Sequence, residues 1–124
     1  MSKTNFENLR VYLLSEKLSD LTWDIVSKWD TFAKNSVGLQ LVRSSDSVGA
    51  NIAEGTGRGS FNDNKRFAKI ARASLYETKH WLRRAYRRNI INNGDTEILK
   101  NIIDELTPRL NSYIKSIGTQ TNKM

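Results

Sequence analysis

The residues of this sequence best suited to chemistry are basic side chains concentrated between positions 61 and 92. The chain carries 20 Lys and Arg against 13 Asp and Glu, a formal net charge of +7. Residues 1–60 hold seven basic and seven acidic side chains, and residues 93–124 hold four of each. Residues 61–92 hold nine basic side chains against Asp63 and Glu77, so this segment carries the whole net charge of +7. Such local asymmetry indicates an anionic partner.

Most of these basic side chains recur at spacings of three or four, which places them along one side of an α-helix. The row consists of Lys65, Lys69, Arg72, Tyr76, Lys79, Arg83 and Arg87, and Arg66, Arg84 and Arg88 lie alongside it. We call the row together with Arg84 and Arg88, nine residues in all, the basic ridge. At about 1.5 Å per residue the row is roughly 33 Å long, a length over which a nucleic-acid backbone presents many phosphates. Arginine suits bidentate phosphate contact, and Tyr76 and Tyr86 could stack on unpaired bases.

The basic ridge therefore predicts a nucleic-acid-binding surface, with RNA favoured over DNA. The alternative is a solvated helix face, which is what most runs of charge are. Like charges at i, i+4 repel one another, and few acidic side chains in this segment offset the repulsion. A helix face that is only solvated does not require such an arrangement.

A second polar set consists of Asn51, Glu54, Arg58 and Glu77. Glu54 and Arg58 stand at i, i+4 in the orientation that favours an ion pair. Glu77 is expected to lie too far along the next helix to pair with Arg58 in the same chain. One interpretation is a carboxylate-based site. The interpretation we favour is a structural network that fixes a helix hairpin or a subunit contact.

Catalytic and metal-binding chemistry find little support. The single histidine, His80, lies next to Lys79 and near further arginines, and a surface histidine is the interpretation we favour. No Cys, His or carboxylate cluster has the spacing of metal ligands. The glycine-rich run at 55–59 lacks the Lys-Ser/Thr ending of a phosphate-binding loop, so a turn after a helix is the better interpretation. The sequence therefore predicts no enzymatic activity, no metal and no cofactor.

Four segments carry apolar residues at helical spacing and none alternates with period two, so we expect an all-α fold. The predicted helices run from Thr4 to about Trp29, over 37–57, from Ser60 to about Asn89 and from Asp95 to Gly118. The third is expected to bury Phe67, Ile70, Ala71, Ser74, Thr78, Trp81, Leu82 and Ala85. Short turns favour an antiparallel, up-down-up-down four-helix bundle. We expect a single domain over 1–118 and a disordered tail over 119–124.

The composition also restricts location. The chain has no cysteine, which suits a reducing compartment. Its first residues lack the apolar core of a signal peptide, and no apolar run approaches the roughly 18 residues needed to span a bilayer. We therefore expect a cytoplasmic protein that does not enter the membrane.

One motif connects the sequence with a known family. The run Asn51-Ile52-Ala53-Glu54-Gly55 is followed by Gly57-Arg58, Ser60, Arg66-Phe67, Ile70-Ala71, Ser74-Leu75 and Glu77. This pattern resembles the bacterial four helix bundle proteins encoded in intervening sequences of large-subunit ribosomal RNA genes, often labelled ribosomal proteins. The label reflects gene location and does not imply membership of the ribosome.

The resemblance implies small antiparallel bundles that assemble into rings, typically pentamers, and it implies no enzymatic activity. A related group, the accessory proteins of diversity-generating retroelements, binds nucleic acid and a reverse transcriptase through basic ring surfaces. We therefore expect a homo-oligomer, with a pentamer favoured, that binds RNA through the basic ridge. The alternative is a protein-interaction scaffold that docks an acidic or polymerase-like partner.

Overall fold

The computed structural model describes residues 6–119, the side chain of Asn8 excepted, and within that range it contains helices and turns but no strand. The four long helices are α1 (Arg10–Val26), α2 (Leu39–Thr56), α3 (Phe61–Arg87) and α4 (Asn93–Ser116). None of these helices is long and apolar enough to cross a membrane. The predicted all-α fold is confirmed. The first residues of the predicted helix one, including Thr4, and the predicted tail beyond Thr119 lie outside the described residues.

The four helices pack as a closed bundle in which each helix contacts two others. Helix α1 contacts α2 and α4, and α3 also contacts α2 and α4. Hydrogen bonds between α2 and α3 join later residues of α2 to earlier residues of α3, which shows that the two helices are antiparallel. The hydrogen-bonded pairs are Ser44 with Thr78 and Ser47 with Ser74 between α2 and α3, and Ser19 with Ser45 between α1 and α2. The predicted four-helix bundle is therefore confirmed.

Helix one begins later than predicted. A 3-10 turn at Phe6–Asn8 precedes α1, which starts at Arg10 and ends at Val26. The apolar residues of α1 recur at helical spacing in the sequence and face the core, since Val11, Leu14 and Leu18 are at most 5% exposed. The hydrophobic stripe of this helix was therefore predictable even though its first turn was not.

The segment before α2 corrects a second expectation. The polar residues after Asp30 suggested a loop up to position 37, but the chain is already helical over Thr31–Ala33 and forms a π-helical turn over Lys34–Gly38. The side chain of Asp30 accepts a hydrogen bond from the Ala33 amide at 2.9 Å, so it caps this early start. The π-helical turn places Val37 in the core, at 3% exposure. A buried valine and a capping aspartate therefore outweigh the polar composition of this segment.

Helix α3 buries a narrower stripe than the sequence predicts. Its buried residues are Ala68, Ala71, Leu75, Thr78, Leu82 and Ala85. The prediction for Ile70 is wrong, since this side chain is 39% exposed. Phe67, Ser74 and Trp81, also predicted to be buried, are only partly buried. Leu75, which was not predicted, is completely buried. Three of the six buried residues are alanines, whose small side chains allow neighbouring helices to approach closely.

Candidate nucleic-acid interface

Helix α3 carries the whole basic ridge on one uninterrupted rod of 27 residues, apart from Arg88 at its C-cap. The helix begins where the Ser60 side chain accepts a hydrogen bond from the Asp63 amide at 3.1 Å. It ends at Arg87, and the chain then turns at Asn89, whose φ of 57° is left-handed, as the Ile90 amide donates to the Ala85 carbonyl at 2.9 Å. The ridge therefore has a rigid scaffold over its full length.

The row from Lys65 to Arg87 lies on the side of α3 that borders α4. Arg72, near its middle, donates a hydrogen bond to Asn111 Oδ1 on α4 at 3.1 Å. The opposite side of α3 faces α2 and carries small polar side chains such as Ser74 and Thr78. Tyr76 is 50% exposed in the middle of the row. The row therefore lies on the outside of the bundle, next to the line along which α3 and α4 meet.

Two members of the ridge point elsewhere. Arg84 and Arg88 each follow a row residue by one position, so they lie about 100° around the helix from Arg83 and Arg87. The structure therefore gathers seven of the nine ridge residues on one side and places two on an adjacent side.

The eight cations of the ridge are without ion-pair partners among residues 6–119. The ion pairs in that range join Arg10 with Glu105, Arg58 with Glu54, Arg66 with Asp63, Lys100 with Asp104, and Arg109 with Glu105. The helix dipole stabilises cations only in the last turn, so it accounts for Arg84 and Arg87 and not for the rest of the ridge. The ridge is therefore a strip of positive charge that the described part of the chain does not neutralise.

An open cleft of about 580 Å³ lies between the C-terminal half of α3 and the start of α4. It is lined by Lys79, Leu82, Arg83, Tyr86, Arg87, Asn93, Thr96, Glu97 and Lys100. Four of these side chains are cationic, and a hydrogen bond to Asp104 raises the pKa of Lys100 and keeps it charged. Glu97 is the acidic residue of the lining. The residues from α4 have no signal in the sequence, because only the packing of α4 brings them to the ridge.

Asn51 lies at the contact between α2 and α3. Its side-chain amide donates to the Ser47 carbonyl at 2.8 Å and to Ser47 Oγ at 2.9 Å. Ser47 Oγ is in turn 3.0 Å from Ser74 Oγ on α3. Asn51 therefore supports the pairing of the two helices through Ser47.

The three charged residues of the same set occupy two other places. Arg58 Nη2 lies 2.7 Å from Glu54 Oε1, so the predicted i, i+4 pair is present, and the guanidinium lies 4.8 Å from the centroid of the Phe67 ring. Glu77 instead accepts a hydrogen bond from Trp81 Nε1 at 3.1 Å. The structure therefore keeps Glu77 apart from Glu54 and Arg58. This separation agrees with the expectation from the sequence that Glu77 lies too far along the helix to pair with Arg58.

His80 is exposed and packs edge-on against Trp81, with ring centroids 4.8 Å apart. Within residues 6–119 no group of three or more His, Cys, Asp or Glu side chains is arranged to hold a metal ion.

The family model of the 23S rRNA-intervening sequence protein matches residues 7–112, which include α1, α2, α3 and most of α4. The chain belongs to this family. No curated protein matches the sequence. The fold is similar to the crystal structure of a protein of unknown function from the S23 ribosomal protein family of Bacteroides thetaiotaomicron, with 27% sequence identity and a TM-score of 0.75. That similarity covers 86% of this chain and 99% of the Bacteroides protein, so the Bacteroides protein has the same bundle over nearly its whole length.

Proposed function

We propose that this member of the family of 23S rRNA-intervening sequence proteins is a non-enzymatic RNA-binding protein that contacts the phosphate backbone through the basic ridge of α3. The observation that carries the proposal is the absence of ion-pair partners for all eight ridge cations among residues 6–119. Carboxylates elsewhere in the bundle do pair with basic side chains, as Glu105 does with Arg10 at 2.9 Å. Unpaired cations in a row release counterions when phosphates bind, which favours binding at low salt.

The test is a titration of the protein into labelled single-stranded RNA at several salt concentrations. Each phosphate contact to single-stranded RNA contributes about −0.7 to the slope of log K against log salt. Replacing three ridge cations by glutamine (Lys79→Gln, Arg83→Gln and Arg87→Gln) should therefore make the slope shallower by about 2 and weaken binding at low salt.

The matched control replaces Lys28, Lys34 and Arg43 by glutamine. These three cations are exposed, lie outside α3 and are also without an ion pair in the described range, so the control removes the same net charge. The control should bind RNA with nearly the wild-type slope. Equal weakening in both variants would show attraction by net charge alone and would contradict a role for the ridge. No binding of the wild type at low salt would contradict RNA binding altogether.

We also propose that the protein is a homo-oligomer, with a pentamer as the family resemblance implies. Two aromatic side chains support self-association, since Trp23 is 63% exposed and Phe32 is 83% exposed in the single chain. Aromatic side chains are enriched at protein–protein interfaces relative to the rest of the protein surface. Light scattering should give a mass several times that of one chain, and a monomer mass at all concentrations would contradict the proposal.

The same aromatic residues favour a second candidate function, a scaffold that docks an acidic or polymerase-like protein. A partner that stays bound in a pull-down after nuclease treatment would support the scaffold. A partner lost with the nuclease would instead support RNA binding.

A further inference from the structure

The cleft between α3 and α4 contains features that binding to a phosphate backbone does not require. Tyr86 is 48% exposed and lines the cleft beside Arg83 and Arg87. Glu97 lines it from α4 and forms no ion pair among residues 6–119. A carboxylate repels phosphate, so its place beside the cations indicates a ligand with more than negative charge.

The chemistry of the lining fits a nucleobase. An exposed tyrosine ring can stack on the face of any base. An ionised carboxylate such as that of Glu97 only accepts hydrogen bonds, and an exocyclic amino group such as the N4 amine of cytosine supplies the donors. The cleft volume of about 580 Å³ lies within the range of small-molecule sites, so a nucleoside-sized group can enter.

The cations on α3 complete the site. Lys79, Arg83 and Arg87 follow one another at i, i+4, about 6 Å apart along the helix. An RNA strand that runs along the ridge can therefore keep its phosphates near these cations while one of its bases turns into the cleft. A base inside a duplex is stacked and paired, and it reaches such a site only after costly extrusion.

We propose that the cleft binds one unpaired, amino-bearing base of a single-stranded RNA, with the base against Tyr86 and its amino group on Glu97. This inference rests on the proposed RNA binding. It names the ligand that binds at the C-terminal half of the basic ridge. It assigns a preference for single strands over duplex, and for cytosine over uracil at the cleft.

The experiment measures fluorescence anisotropy of labelled oligo-C, oligo-U and an RNA duplex of equal length at one salt concentration. For the wild type, oligo-C should bind more tightly than oligo-U and than the duplex. Tyr86→Leu should weaken oligo-C binding roughly 5- to 150-fold, the range that loss of one stacked base gives. Tyr86→Phe retains the ring and should stay within about 2-fold of the wild type.

Two further variants make the test specific. Tyr76→Leu removes an equally exposed tyrosine that lies on the ridge outside the cleft, and its effect on oligo-C should be smaller than that of Tyr86→Leu. Glu97→Ala removes the acceptor and the repulsion together, so oligo-U should bind more tightly and the preference for oligo-C should vanish.

The outcomes separate this inference from the proposed function. If the wild type binds none of the three RNAs, RNA binding and the base site both fail. If RNA binds but duplex and single strand bind equally, or if Tyr86→Leu and Tyr76→Leu act alike, the base site alone is overturned and backbone binding stands.

Discussion

Gly55, the last residue of the motif at 51–55, lies where α2 packs tightly against the start of α3. A Cβ added at this glycine would lie 2.7 Å from Asn64 Oδ1, 3.0 Å from Phe67 Cβ and 3.1 Å from the Asn64 carbonyl oxygen. Asn64 Oδ1 lies at the end of a short side chain that can rotate away. The other two are fixed to the helix itself, so Gly55→Ala should push α3 away by a few tenths of an ångström.

Two opposing effects set the expected loss of stability. Overpacking a tight contact costs about 1–3 kcal/mol. Alanine in a helix is favoured over glycine by about 1 kcal/mol, a gain that is smaller near a helix end such as this one. The net effect is a loss of about 1 kcal/mol in the free energy of unfolding, which lowers Tm by roughly 4 °C in a domain of this size.

The matched control is Gly59→Ala in the turn that follows. A Cβ at Gly59 meets nothing within 4 Å, and the residue is not left-handed. Its substitution should change the free energy of unfolding by less than about 0.5 kcal/mol. Urea unfolding followed by circular dichroism measures both variants. If Gly55→Ala proves as stable as Gly59→Ala or more so, the close approach of α2 and α3 does not determine the packing at this turn.

Further predictions concern buried hydroxyls and one ion pair. Thr22 Oγ1 is buried and has no hydrogen-bond partner within residues 6–119, so Thr22→Val should stabilise by about 1 kcal/mol. Thr78→Val loses a 3.0 Å hydrogen bond to Ser44 Oγ and should destabilise by a similar amount. Urea unfolding checks both, and shifts of the same sign would contradict this reasoning. The hydrogen bond from Arg10 lowers the pKa of Glu105, so the pair stabilises the fold above the usual glutamate pKa of about 4.3 and ceases to do so as the pH falls through the lower folded-state pKa. The Tm of Glu105→Gln should therefore lie below that of the wild type at neutral pH and converge with it in acid, whereas a gap independent of pH would exclude this contribution.

The sequence predicted the number and direction of the long helices because their apolar spacing is regular and their turns are short. It did not predict which of two neighbouring rows of α3 is buried. Ile70 and Leu75 both belong to rows of helical spacing, and hydrophobicity favours the isoleucine. Leu75 shares the buried row with Ala68, a small residue that was not predicted to be buried but that allows a close helix contact. Only the positions of the neighbouring helices show that contact.

The same reasoning applies to the candidate site. The charge segregation and the row from Lys65 to Arg87 were predictable, because charge and spacing are local properties of one helix. The cleft was not, since Glu97 and Lys100 are far from Tyr86 in sequence and meet it only through the packing of α4. The sequence also grouped Arg84 with Arg83, although one residue of offset turns the two side chains to different sides.

The basic ridge and the core occupy separate sides of α3, and this separation makes the proposed function testable by mutation. The buried row of α3, with Leu75 completely buried, holds the helix in the bundle, while the ridge cations contact no carboxylate in the described range. Like charges at i, i+4, such as Lys79, Arg83 and Arg87, disfavour a helix by about 0.2–0.5 kcal/mol per pair. Their replacement by glutamine removes that repulsion and leaves the core contacts in place, and the helix-dipole stabilisation lost with Arg87 is of similar size to the repulsion removed. A loss of RNA affinity in the triple variant would therefore report lost contacts with RNA, because unfolding would require a loss of stability that this change does not cause.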